Sequence, residues 1–203
     1  GKSRNVKVRA LAATAKGVRF TYEPKALPLP VLPEYLADDK IYPLTARFNQ
    51  EIFKIAGLEA GNYDLIFDGV KVGTFTADAF AKGVNVATLD TPNQRQAKAA
   101  AEWMSKLVAN EHDRRMLVLN YRNFRSAKIA RDDFAAQDAF WAKRLETLRA
   151  AKVPWFKSEQ YVCSVYKQNR TRAAELDATA EDLFERLNAI RPAVSRVAIV
   201  PAK

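Results

Sequence analysis

Residues 57–89, GLEAGNYDLIFDGVKVGTFTADAFAKGVNVATL, constrain the fold more tightly than any other stretch of this chain. Tyr63, Leu65 and Phe67 alternate with Asp64 and Ile66, Asp68-Gly69 supplies a turn, and Val70, Val72 and Phe75 lie on the returning run. That is the period-2 pattern of an antiparallel hairpin with one face in a core. Five of the seven glycines, Gly57, Gly61, Gly69, Gly73 and Gly83, fall here, so most of the chain's backbone permissiveness is spent on tight turns in this segment. Nothing in it is catalytic; it predicts scaffold.

The flanking sequence supplies the rest of a β-rich domain. Val6, Val8 and Ala10 alternate with Lys7 and Arg9, and residues 18–22 repeat the pattern after Lys16-Gly17, predicting a first hairpin or bend. Pro24, Pro28, Pro30 and Pro33 predict extended coil, and Asp38-Asp39 a solvated loop. Pro43 opens a short helix with Leu44, Phe48 and Ile52 spaced by four, and Ile52, Phe53 and Ile55 run on as a strand. Phe20, Tyr22, Phe53, Tyr63, Leu65, Phe67 and Phe75 are the core candidates.

At Thr91-Pro92 the period changes from 2 to 3.6. Thr91 suits an N-cap, Pro92 the first helical position, and Gln94 the third residue of a capping box. One long helix is predicted to Arg125, either continuous or divided near 110–113, with a stripe of Ala97, Ala100, Ala101, Met104, Leu107, Val108, Met116, Leu119 and Phe124. A second helix is expected from 129 or 132 to 151, ended by Val153-Pro154, and a third from 157 or 158 to 190, ended by Arg191-Pro192. Residues 194–200 alternate again and need a sheet. The expected fold is therefore α+β: a small antiparallel, sandwich-like β-rich domain (1–90 plus 193–203), with a three-helix antiparallel bundle (91–192) inserted ahead of a C-terminal strand that returns to the sheet.

The formal charge of +10 is concentrated in two blocks without an acid. One is Lys2, Arg4, Lys7, Arg9, Lys16 and Arg19; the other is Arg114, Arg115, Arg122, Arg125, Lys128 and Arg131. Such blocks raise the local potential and attract acidic partners, anionic polysaccharide among them, or simply keep a protein soluble. Tyr121-Arg122-Asn123-Phe124-Arg125 interleaves aromatic and basic groups, yet no nucleic-acid-binding motif accompanies it, so nucleic acid is not the expected partner. No apolar run is long enough to span a membrane, and GKSRNVKVRA has no apolar signal-peptide core, so any export signal is expected ahead of Gly1.

Few groups suggest chemistry. The single cysteine, Cys163, sits among Tyr161, Val162 and Val165 and reads as buried. His112, the single histidine, has Val108, Ala109, Arg115 and Met116 at its helical neighbours rather than ligands or a nucleophile. Asp132-Asp133 and Glu181-Asp182 stand near helix starts, where carboxylates cap. Neither a metal nor a cofactor is expected. Trp103 and Trp141 read as core. Trp155-Phe156, in the loop after Pro154, is the better aromatic candidate for a binding surface, together with Arg114, Arg115, Arg122, Arg125, Lys128 and Arg131.

The hairpin segment, with Gly83-Val84-Asn85, Thr91-Pro92 and Gln96-Ala97 following it and Phe20-Thr21-Tyr22 and residues 25–30 (KALPLP) preceding it, resembles a region found after the catalytic core in bacterial SGNH/GDSL-type esterases. The resemblance implies a parent enzyme that cuts esters with a serine nucleophile, in which this region packs on or extends the substrate cleft of a catalytic core, and an exported, periplasmic or secreted setting. It brings no active site with it. Ser3, Ser105, Ser126, Ser158, Ser164 and Ser195 none follow Gly-Asp, and His112 does not sit three residues after an Asp. A free-standing basic module for an anionic polymer and a helical interaction scaffold are the alternatives.

Overall fold

The computed structural model describes residues 4–31 and 39–202; Lys2, Ser3, Pro33 and Asp38, singled out above, lie outside them. The chain is α+β. It divides into two compact units, Gly1–Glu102 with Ala189–Lys203, and Trp103–Asn188.

In the first unit, β1 (Val6–Thr14), β2 (Gly17–Pro24), β4 (Asn62–Phe67), β5 (Val70–Thr76) and β7 (Ser195–Pro201) form a five-stranded, wholly antiparallel sheet in the order β1-β2-β7-β4-β5. The alternation read from the sequence places its faces. Val18, Phe20 and Tyr22 stand opposite Ile199, Val197 and Ser195, while Leu65 and Phe67 stand opposite Ile199 and Val197 from the other side. Over this face lie a two-stranded ribbon, β3 (Ile52–Phe53) with β6 (Val84–Asn85), and the short helix α2 (Ala77–Lys82). The second layer is thus a ribbon and one helical turn or so, not the second full sheet of a sandwich. Phe53 stacks on Phe67 at 6.0 Å and meets Tyr22 edge-on at 5.2 Å. Phe20 and Phe75 pack against this cluster while remaining partly buried. The helix α1 (Leu44–Phe48) buries no residue, so the spacing of Leu44, Phe48 and Ile52 marks no packed face.

The Asp68-Gly69 turn has both residues at positive φ, 49° and 87°, as a type I′ hairpin requires. β1 is an edge strand whose register shifts between Arg9 and Ala12, with Ala10 at φ 49°, and its Val8 remains exposed.

The long helix α3 (Pro92–Ser126) runs for 35 residues and is continuous through 110–113, where the sequence left a division open. The reason lies on its inner face, where the interior positions include asparagines with fitted partners. Asn110 Nδ2 donates to the Leu176 carbonyl (2.8 Å), and Asn120 Oδ1 accepts from Trp141 Nε1 (3.0 Å). Its start is capped by Thr91 Oγ1, which accepts from Gln94 N (3.2 Å). The Gln94 side chain does not reciprocate: it bonds the Ala87 and Leu29 carbonyls and accepts from Val31 N.

Helix α4 (Phe134–Ala150) follows, and the expected third helix is two, α5 (Phe156–Asn169) and α6 (Ala173–Ala189). The helical segment therefore has four helices where three were expected. No Gly or Pro marks the break. It is held by side chains: Arg170 forms a two-pronged bond with Asp138 (2.9 and 3.1 Å), and Arg172 Nη1 donates to Asn169 Oδ1 (3.0 Å). The core of this second unit is Leu117, Phe124, Trp141, Cys163, Tyr166 and Leu176, with Leu107, Ala180 and Leu183 forming a smaller cluster.

One buried carboxylate is notable. Tyr22 donates to Glu51 Oε1, while Glu51 Oε2 is buried without a partner among the described residues. Burial raises the Glu51 pKa, only partly offset by the tyrosine bond, and the Tyr22 phenol is pushed up by burial and by Glu51. A carboxyl raised in the folded state stabilises fully below its unfolded pKa of about 4.3 and loses that contribution as pH rises through its folded value. Thermal unfolding of Glu51→Gln, which keeps the tyrosine's acceptor, should match wild type near pH 4. Above neutrality the Tm should be higher by about 2 °C or more. Equal pH profiles for the two proteins would contradict this account of Glu51.

Candidate ligand-binding groove

The end of α3 is built by a Schellman motif. Ile129 N bonds the Phe124 carbonyl (2.9 Å) and Lys128 N the Arg125 carbonyl (3.1 Å), with Lys128 left-handed at φ 59°. The motif folds Ile129 back beside Phe124. The following loop is clamped by Gln137, a fully buried side chain on α4. Its Nε2 donates to the carbonyls of Ala130 (2.8 Å) and Arg131 (3.0 Å), and its Oε1 accepts from the Tyr166 hydroxyl. Arg131 is thereby placed with its guanidinium 4.0 Å from the Tyr121 ring centre. Beside it on the last turns of α3 are Arg122 and Arg125, three residues apart and so on one side of the helix.

These groups border a groove of about 370 Å³ whose apolar lining comes from Val118, Phe124 and Ile129. Arg122, Arg125 and Arg131 form no ion pair among the described residues. Asp133, two residues beyond Arg131, spends its Oδ1 on capping α4 through Ala136 N (2.9 Å). Three cations without an ion pair among the described residues thus border an apolar floor.

The other candidates are elsewhere. Arg114 is bound to Glu111 and to Asp177 (2.7 Å), and those bonds raise its pKa further. Arg115 and Lys128 are exposed but do not line the groove. Trp155 is exposed and Phe156 half-buried, with Arg149 5.3 Å from its ring centre. They follow the far end of α4, whose 17 residues span about 25 Å. The expected aromatic-and-basic surface is thus divided, and the structure does not bring Trp155 and Phe156 to the arginines. Gln137, the residue that fixes Arg131, carried no sequence signal; an apolar-to-polar interruption on the inner face of α4 is the nearest hint.

His112 Nδ1 faces Asp113 Oδ1 at 3.3 Å, and Nε2 faces the Tyr161 hydroxyl at 3.4 Å. No serine bonds it among the described residues. Ser126 donates to the Arg122 carbonyl, and Ser195 is buried on the sheet face. Burial pushes the Cys163 thiol up, away from reactivity. Asp182 pairs with Arg186 along α6 (2.9 Å). No cluster of three metal-ligating side chains occurs among the described residues, and none of their helices is long and apolar enough to cross a membrane.

With this geometry in hand, comparison with solved structures finds a fold in common. A gut microbial diltiazem-metabolizing enzyme matches with a TM-score of 0.72 and 22% sequence identity. The match takes in 99% of this chain and 47% of that one, so the chain spans about half the enzyme's length. No protein-family model matches the sequence. No curated protein matches it either.

Gln137→Leu leaves two carbonyls and one hydroxyl without their partner. It should lower the unfolding free energy by about 2–4 kcal/mol in urea titrations. A change below about 0.5 kcal/mol would mean that the Arg131 loop is not held by this clamp.

Proposed function

We propose that this chain is the accessory, non-catalytic region of an SGNH/GDSL-type serine ester hydrolase, packing on or extending the substrate cleft of a catalytic core. The observation that carries this reading is the half-length match. The similar fold belongs to an enzyme with more than half of its chain outside the match, while the described residues here include no serine joined to a histidine. The resemblance of residues 57–97 to the region beyond such a core points the same way. In this reading the domain arrangement is a β-rich unit with the helical segment as its insert, and the exported habit of the family places the parent protein in the periplasm or outside the cell.

The surface of α3 supports a docking role. Met104, Val108 and Leu119 are all exposed, Val108 to 63%. At 100° per residue they fall within one sector of about 60°. An apolar stripe left in water on an otherwise charged helix is suited to cover by a neighbouring domain.

The alternative is a basic module for an anionic polymer, favoured by the three groove arginines that form no ion pair among the described residues. Such binding would weaken steeply with added salt.

A fluorophosphonate probe, which labels activated serines irrespective of substrate, tests the first reading. The chain should gain no covalent mass by intact-protein mass spectrometry. Labelling at any serine would overturn the non-catalytic assignment.

A further inference from the structure

We infer that the groove at the end of α3 binds an amphipathic anion: a carboxylate or phosphate monoester carried on a short apolar chain. The inference rests on reading this groove as a binding site and needs no assumption about ester hydrolysis. Its cationic rim is prepared in advance. The Arg131 guanidinium carbon stands 4.0 Å from the Tyr121 ring centre, a cation–π contact that holds the group beside the groove while its N–H groups can still serve a planar or tetrahedral oxyanion. Arg122 and Arg125 add two more forks from one helical turn. The carbonyls of Phe124 and Arg125, which would repel an anion at a helix C-terminus, are already bonded by Ile129 and Lys128.

The floor decides the rest of the ligand. It is aliphatic, from the exposed Val118 and the half-buried Ile129, and a volume of about 370 Å³ suits a small molecule. It offers little open aromatic face. Phe124 is 1% exposed, and one face of Tyr121 is under Arg131. Sugars and bases stack on open aromatic faces, so a polysaccharide or a nucleic acid fits this floor less well than an alkyl chain.

Calorimetric titration of the full chain with octyl phosphate, below its micellar concentration, tests the inference. Saturable binding is expected, weakened about tenfold or more by Arg125→Gln and by Val118→Ser, both at exposed positions. Inorganic phosphate and 1-octanol should each bind at least about tenfold more weakly, since each supplies one half of the ligand. Inorganic phosphate binding as well as octyl phosphate would overturn the amphipathic assignment. So would a heparin oligosaccharide that binds more tightly and displaces it, and so would the absence of saturable octyl phosphate binding. The serine-probe result is independent of all of these.

Discussion

The structure of the first unit depends on β7, the last strand of the chain and the middle strand of its sheet. Without it the sheet is two separate hairpins, β1–β2 and β4–β5, and isolated hairpins are marginal in water. Both hairpins are fitted to it. A Cβ at Gly17 would stand 2.6 Å from the Ile199 carbonyl oxygen, so the first turn closes only with glycine. Asp68 in the second turn accepts from Arg196 N through its carboxylate (2.7 Å) and donates its own N–H to the Arg196 carbonyl (2.8 Å). The chain leaves toward the helices after Thr91 and returns at residue 193. Asn93 Oδ1 and Gln96 Oε1 both accept from Ala193 N at 2.9 Å, tying the two crossing points together.

What the sequence disclosed follows the range of the interactions involved. The Asp68-Gly69 hairpin and the Thr91 cap are local, set by residues within a few positions, and both were legible. The need of residues 194–200 for a sheet was legible from alternation alone, although the strand's central position was not. The continuity of α3 past 110–113 was left open because Asn110 and Asn120 look like surface residues until Leu176 and Trp141 are seen beside them. The division between α5 and α6 was hidden because Arg170 and Asp138, which hold it, are 32 positions apart. Met104, Val108 and Leu119, read as part of one apolar stripe, are exposed; apolarity marked them without saying what covers them.

The same distinction separates the groove from the rest of the basic block. Spacing placed Arg122 beside Arg125, but availability is a tertiary property. Arg114 is consumed by Glu111 and Asp177, while Arg131 is held over Tyr121 by a loop that Gln137 clamps. Net charge alone gives these residues equal standing. Ion pairing and positioning leave Arg122, Arg125 and Arg131 bordering a common space, and the proposed binding site is that groove rather than the whole basic block. Trp155 and Phe156, at the other end of α4, belong to a different part of the helical unit.

Hydrogen exchange along the sheet tests the central place of β7 most directly. The strand is paired on both sides, so the amides of Val197 and Ile199 should exchange only through unfolding of the whole unit, in the slowest class together with those of β4. The amides of the edge strands β1 and β5 that face away from their partners should exchange faster. Exchange of Val197 and Ile199 as fast as at those edges would show that β7 is an addition to a sheet already complete, and the account of the chain as a scaffold closed by its last strand would fail.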